Sequence, residues 1–295
     1  MDQSQSKNTT QHLREIAEIL LLNGTLEDCP GLIHGKMGIA VFFFHYAKYL
    51  NNKIFENYAF DLIGEIQEQI HSNSPADYER GIAGIGVGIN YIIQNGFLDA
   101  DNDLFDDFDQ RMVRAVMYNP WQDFSLYDGL TGYGRYWIMR IQYHTSTLLA
   151  HECLSRIVRL IEENFSIISE NEQTDVYSLL HDLHQMPYFE EDVIFFESVL
   201  EQCQNWSLHS LDISRSFPRL GSSITNNIAR MYQYNRYFNI DLHGKIELSL
   251  KKILNTKNME KQQFAEIGLL TGYAGDGMML LTALNQTDMS WMLLL

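Results

Sequence analysis

Apolar residues recur along this chain with a helical period, and they do so in two kinds of stretch. In the first kind, Ile54, Phe55, Tyr58, Ala59, Leu62, Ile63, Ile66 and Ile70 fall at i, i+1, i+4 and i+5 with polar residues between them. That spacing gives one apolar and one wet face, so it predicts an amphipathic outer helix. Leu104, Phe105, Phe108, Met112, Ala115 and Val116 repeat it. In the second kind, Ile39 to Phe44 and Ile82 to Ile93, apolar residues occur almost all round, which predicts helices buried on most sides.

A glycine phrase introduces each buried stretch. Its copies are Gly31 to Gly38, with Gly35 and Gly38 spaced G-x-x-G; Glu79 to Gly86, with Gly81 and Gly84; Tyr127 to Gly134, with Gly129 and Gly132; and Leu270 to Gly277, with Gly272 and Gly275. Gly35, Gly81 and Gly129 lie 46 and 48 residues apart. A weaker copy surrounds Gly221, and the gap before it leaves room for one degenerate repeat near Val176 to His184. Pro30, Pro75, Pro120 and Pro218 stand just ahead of the phrases, where a chain turning from outer to inner helix must stop being helical. An outer and an inner helix repeated every 45 to 50 residues predict a two-layer α-solenoid or a closed α/α toroid. We place the repeats near 11–50, 53–95, 101–143, 145–185, 190–236 and 240–285, about six helical hairpins in one all-α domain spanning 1–295. Glycine at every inner-helix start also predicts free backbone N–H groups there, at the positive end of the helix dipole.

Composition narrows the partners. With 21 Lys and Arg against 38 Asp and Glu, the net charge is −17, which repels phosphate backbones and anionic lipid. Nucleic acid and membrane are therefore excluded as expected partners, and a peptide or protein partner remains. The start, Met1 to Glu15, is polar, and the richest apolar run, Ile39 to Leu50, is broken by His45 and Lys48, so no secretory signal or membrane span is expected. Cys29, Cys153 and Cys203 are far apart and odd in number, which fits buried thiols in a reducing cytoplasm.

Metal chemistry finds little footing. His181 and His184 stand at i, i+3 with Glu190 and Glu191 nearby, and Cys203 precedes His209, but neither set makes a complete ligand group. His34 reads most simply as a histidine hydrogen-bonded at a helix start. Asp99 to Asp103 invites a calcium loop, yet Leu104 and Gln110 occupy the positions of its turn glycine and bidentate glutamate. No metal or other cofactor is expected. The residues flanking the glycines carry more promise: Glu79, Arg80, Tyr127, Asp128, Arg135, Arg215, Arg219, Tyr273 and Asp276. On a closed ring they would face one mouth, where acids and arginines bind a peptide or Asp128 and Asp276 act as catalytic acid and base. The plainer alternative is a solvated rim whose charges pair with one another and cap helices.

The phrases resemble the lanthionine synthetase C (LanC-like) family, over about 31–143 and 216–285. Gly81 to Gly86, reading Gly-Ile-Ala-Gly-Ile-Gly, is close to a family phrase, and Tyr127 to Gly132 and Gly268 to Gly275 are nearly as close. The resemblance implies an α/α toroid whose site lies at its central mouth. It also implies a zinc ion that activates a peptide cysteine for addition to a dehydroamino acid, closing a thioether ring. The sequence departs from the family at the ligands. Aligned on the glycines, the first ligand cysteine falls at Ser216 and the Cys-His pair at Leu270 and Thr271. The family's acidic residue ahead of the third-repeat glycine falls at Ser125, with Asp123 and Asp128 close by, and its active-site histidine belongs to the degenerate repeat. A zinc-free branch of the family makes rings with related domains. Three functions stand: a zinc-independent or degenerate LanC-like protein of peptide modification, a non-catalytic peptide- or protein-binding module, and a carbohydrate-active α/α barrel with Trp121, Trp137 and Trp206 as stacking candidates. The oligomeric state is left open.

Overall fold

A computed structural model describes residues 3–71, 73–99, 103–143, 147–186, 201, 224–238, 240–255 and 266–295. Every regular element among them is helical, as the apolar periodicity predicts. In chain order the α-helices are α1 Gln3–Asn23, α2 Lys36–Leu50, α3 Lys53–Gln69, α4 Ile82–Gln94, α5 Asp106–Val113, α6 Leu130–Tyr143, α7 Thr147–Asn164, α8 Glu170–His184, α9 Ile224–Tyr237, α10 His243–Asn255 and α11 Tyr273–Ala283. Helix α5 runs on into a π-helical turn, Arg114–Tyr118, and short 3-10 turns occupy Gly24–Leu26, Phe165–Ile167 and Ser290–Leu294. None of the described helices is long and apolar enough to cross a membrane.

The chain divides into two compact units, one of residues 1–71, 91–98 and 219–295, the other of 72–90 and 99–218. In the first unit, α2 is buried on every side from Lys36 to Ala47. It stops at Asn51, whose left-handed φ of 49° turns the chain. The Asn52 side chain then accepts the Ile54 N–H at 2.9 Å and caps α3. Helix α3 lies along α2 and contributes Ala59, Leu62 and Ile66 to the core. Phe43 meets Phe55 and Tyr58 at ring-centre distances of 5.9 and 4.8 Å, and Phe44 meets Phe60 at 5.0 Å. The apolar stripe is narrower than its sequence suggests: Ile54 is 71% exposed and Leu104 37%. Helix α11 packs on both α1 and α2.

In the second unit, α6 is the buried helix and packs on α7 and α8. Asp109 of α5 and Arg140 of α6 form a buried ion pair at 2.7 Å. The Tyr136 hydroxyl also donates to Asp109, at 2.6 Å. The segment Val176 to His184, where a degenerate repeat is expected, lies in α8, which begins at a Ser169–Glu172 capping box instead of a glycine phrase.

Candidate functional site: the glycine-phrase loops

All four glycine phrases have the same main-chain design. The residue after the leading glycine donates its N–H to the carbonyl seven positions back: Lys36 to Cys29 at 2.8 Å, Ile82 to Pro75 at 2.9 Å, Leu130 to Asp123 at 2.8 Å and Tyr273 to Glu266 at 3.0 Å. A Cβ on Gly35, Gly81 or Gly129 would stand 2.3 Å from the carbonyl oxygen six positions back, and one on Gly272 would stand 2.6 Å away, so no larger residue fits. The second glycines obey the same rule, since a Cβ at Gly38, Gly132 or Gly275 would lie 2.5, 2.3 or 2.0 Å from such a carbonyl. Gly84, in the same position, is buried. Cys29, Pro75, Asp123 and Glu266, each six residues before its leading glycine, thus supply the carbonyls that close the loops onto their helices.

This design corrects one expectation. The first inner-helix N–H groups are satisfied by their own loops, and Met37, Ala83 and Ala274 each donate at 3.3 Å in the same register. They are therefore not open donors for a ligand. The third glycine of a phrase has a different task. A Cβ at Gly86, Gly134 or Gly277 would meet Tyr136, Leu179 or Phe42 within 2.7 Å, so these glycines admit a large side chain from the neighbouring buried helix.

Adjacent loops are stitched together. In the second unit, the Tyr78 and Glu79 N–H groups both donate to the Tyr127 carbonyl, at 2.9 and 3.0 Å. In the first unit, Leu269 and Leu270 donate to the Ile33 carbonyl, at 2.8 and 3.3 Å. The register is identical: residues three and two before one leading glycine reach the residue two before the next. Tyr127 therefore contributes a main-chain acceptor to its loop.

The side chains around this frame carry mixed charge. Glu79 accepts from Arg80 Nη2 at 3.0 Å, and the Arg80 N–H donates to Asp77 at 2.7 Å. Asp128 is exposed. Burial, and then Glu79, Asp77 and Asp123, push its carboxyl above the usual range, against Arg80. Burial, followed by Asp77, drives the Tyr133 phenol up to about 12. Arg135 lies half-buried against the Tyr78 ring, its guanidinium carbon 5.9 Å from the ring centre, and hydrogen-bonds the Tyr78 hydroxyl. In the first unit, Asp276 accepts from the Thr225 hydroxyl at 2.8 Å, and burial raises its carboxyl. Tyr273 is half-buried beside it in sequence. Asp128 and Asp276 thus belong to different units. Arg215, Arg219, Ser216, Glu190, Glu191, Cys203, Trp206 and His209 lie outside the described residues.

Two site residues escaped the sequence reading. Glu172 and Asp175 of α8 accept the Phe124 and Leu126 N–H groups at 2.9 and 2.8 Å, so side-chain carboxylates hold the loop ahead of Gly129. The Ser169-x-x-Glu172 spacing is a visible capping-box signal, but nothing in the sequence says that its glutamate also reaches another loop.

Zinc does not fit the residues at the family's ligand positions. Leu270 has no donor atom in its side chain and is only 8% exposed, and the Thr271 hydroxyl is a poor zinc ligand. Among the described residues no three His, Cys, Asp or Glu side chains are grouped to hold a metal ion, His181 and His184 included. The chain matches no model of a known protein family. It also matches no curated protein closely enough to count as a relative.

Proposed function

We propose that this chain is a divergent LanC-like protein that binds a peptide at its glycine-phrase loops and works without zinc. We propose further that its repeats close into an α/α toroid of about six helical hairpins. The observation carrying this reading is the shared stitch between loops. Leu269 and Leu270 join the last glycine phrase to Ile33 of the first in the same register that joins Tyr78 and Glu79 to Tyr127. A linear solenoid has no reason to bond its last repeat to its first in the register of neighbours, whereas a ring requires it.

The loops suit a peptide chemically. Glu79, Arg80 and Asp128 offer charges of both signs on a main-chain frame that is internally satisfied and hence rigid. Leu270 and Thr271 in place of the zinc ligands favour peptide capture, or a ring closure driven by the protein's own acids, over thiolate activation by metal. In that closure the thiol sulfur bonds to the β-carbon of a dehydroamino acid. The thiol proton leaves to a base, and a proton is delivered to the α-carbon, so no further reagent is consumed.

The test is a peptide bearing one cysteine and one dehydroalanine, followed by thiol alkylation and mass spectrometry. Loss of the alkylatable thiol without change of mass indicates ring closure, and binding with the thiol retained indicates capture. Asp128→Lys is expected to weaken the peptide by about tenfold, roughly 1.4 kcal/mol, with the fold intact. A protein that neither binds nor cyclises any such peptide, or binds it unchanged in Asp128→Lys, overturns the proposal.

A further inference from the structure

The loop that carries Asp128 is held on its two sides by different means. On one side Tyr127 accepts main-chain hydrogen bonds from Tyr78 and Glu79, a link that does not titrate. On the other, Leu126, three residues before Gly129 as Tyr78 is before Gly81, donates to the Asp175 carboxylate of α8 and not to a main-chain carbonyl, and Phe124 donates to Glu172 of the same helix. The Glu172 carboxylate is fixed by its capping box, since the Ser169 N–H and hydroxyl both donate to its other oxygen. Among the described residues no such capping box fixes Asp175. The groups acting on it are the Leu126 amide, Arg135 from α6, Glu172 from its own helix and Asp123 from the loop. Arg135 is shared, because it also bonds the Tyr78 hydroxyl beneath the neighbouring loop.

We infer that Glu172 and Asp175 are positioning residues forming a carboxylate clasp on the loop of Asp128, and that Asp175 makes the hold on that loop respond to protonation. The inference rests on the proposed role of the loop for its functional meaning, but its physical content is independent of any ligand. An ionised Asp175 gives Leu126 a charge-assisted hydrogen bond and gives Arg135 an opposite charge; a protonated one gives neither. Burial pushes the Asp175 carboxyl up to about 6, against the pull of Leu126 and Arg135, whereas burial of Glu172 is outweighed by its Ser169 and Phe124 hydrogen bonds, which hold that carboxyl below the usual range. One arm of the clasp is therefore constant near neutrality and the other titrates.

The test is amide NMR on the whole protein between pH 4.5 and 8, with Asp175→Asn and Glu172→Gln as comparisons. Asparagine keeps a carbonyl oxygen for Leu126, so this variant folds and lacks only the charge. In the wild type the Leu126 amide is expected to move downfield on one sigmoid with its midpoint at about 6. Asp175→Asn should abolish that sigmoid while the Tyr78 amide stays flat in both proteins, and Glu172→Gln should leave the midpoint within the same pH window. A flat Leu126 amide in the wild type, or a sigmoid that survives in Asp175→Asn, overturns the clasp. Either outcome leaves the peptide proposal standing, because that proposal fails only on binding and ring closure. If peptide binding is present and the clasp holds, binding at pH 5 and pH 7 should differ in the wild type by a larger factor than in Asp175→Asn.

Discussion

Replacing Asp109 with alanine should cost the protein more than replacing Asp128, Glu172 or Asp175. Asp109 is 6% exposed and Arg140 3%. Asp109 accepts Arg140 Nε at 2.8 Å and Nη2 at 2.7 Å, besides the Tyr136 hydroxyl. The guanidinium carbon stands 4.8 Å from the centre of the Phe105 ring, and no described residue hydrogen-bonds Nη1. Asp109→Ala therefore leaves a buried cation without its counter-charge and a buried phenol without its acceptor. Removing one partner of such a pair costs about 3–5 kcal/mol. Removing both gives a different result. In Asp109→Leu/Arg140→Met the desolvation of two charges disappears with their attraction and only the Tyr136 hydroxyl loses its acceptor, so the double variant should cost less than either single variant. Urea unfolding followed by circular dichroism, at constant m, completes the cycle with Asp109→Leu and Arg140→Met as the single variants. The reasoning is refuted if either single variant costs less than about 1 kcal/mol, or if the two single effects add to within about 0.5 kcal/mol.

Other outcomes follow from the same geometry. Asp175→Asn should stabilise the protein at pH 7 by up to about 3 kcal/mol, because burial raises the native carboxyl from 3.8 to about 6 and that contribution, full below the ordinary value, is lost as pH rises through the raised one. Chemical unfolding at pH 7 and pH 4 should show the two proteins converging in acid. His45, driven down to about 4 by burial and then by Lys48, should keep a neutral ring against the Tyr91 hydroxyl, which lies 2.9 Å away. Its carbon-detected ring resonances should stay flat from pH 5.5 to 8, and the stability it supplies above its ordinary value should be lost as pH falls through 4. Gly129→Ala, whose Cβ would stand 2.3 Å from the Asp123 carbonyl oxygen, should destabilise by about 1–3 kcal/mol or more. Gly64→Ala, inside α3 with nothing within 4 Å, should instead stabilise by about 0.5–1 kcal/mol, and thermal melts of the pair check both signs.

Periodicity made the helices legible, because burial writes directly into residue type. Ile39 to Phe44 and Ile82 to Ile93 are apolar almost all round, and α2 and α4 are there. The glycine phrases were legible for a related reason: a carbonyl six positions back forbids a side chain, so the fold leaves a residue-type mark wherever the loop recurs. The stitches were not legible, since Tyr127 and Ile33 accept through their main chains and any residue there would serve. For the same reason the sequence suggested open N–H groups at the inner-helix starts, when each was already bonded seven residues back. The clasp was hidden differently: Glu172 and Asp175 look like ordinary acids in a helix's first turns, and only their reach to Phe124 and Leu126 separates them from others.

The bond from Leu269 to Ile33 also bears on the order of assembly. It joins residues 236 positions apart, whereas Tyr78 and Tyr127 are separated by 49. Closing the longer loop carries about 1.4 kcal/mol more chain entropy. On the ribosome it must also wait until the far end of the chain has emerged. Until then Phe42, whose ring lies where Gly277 leaves room for it, lacks the helix that covers it there. The N-terminal helices of this unit are consequently made first and completed last.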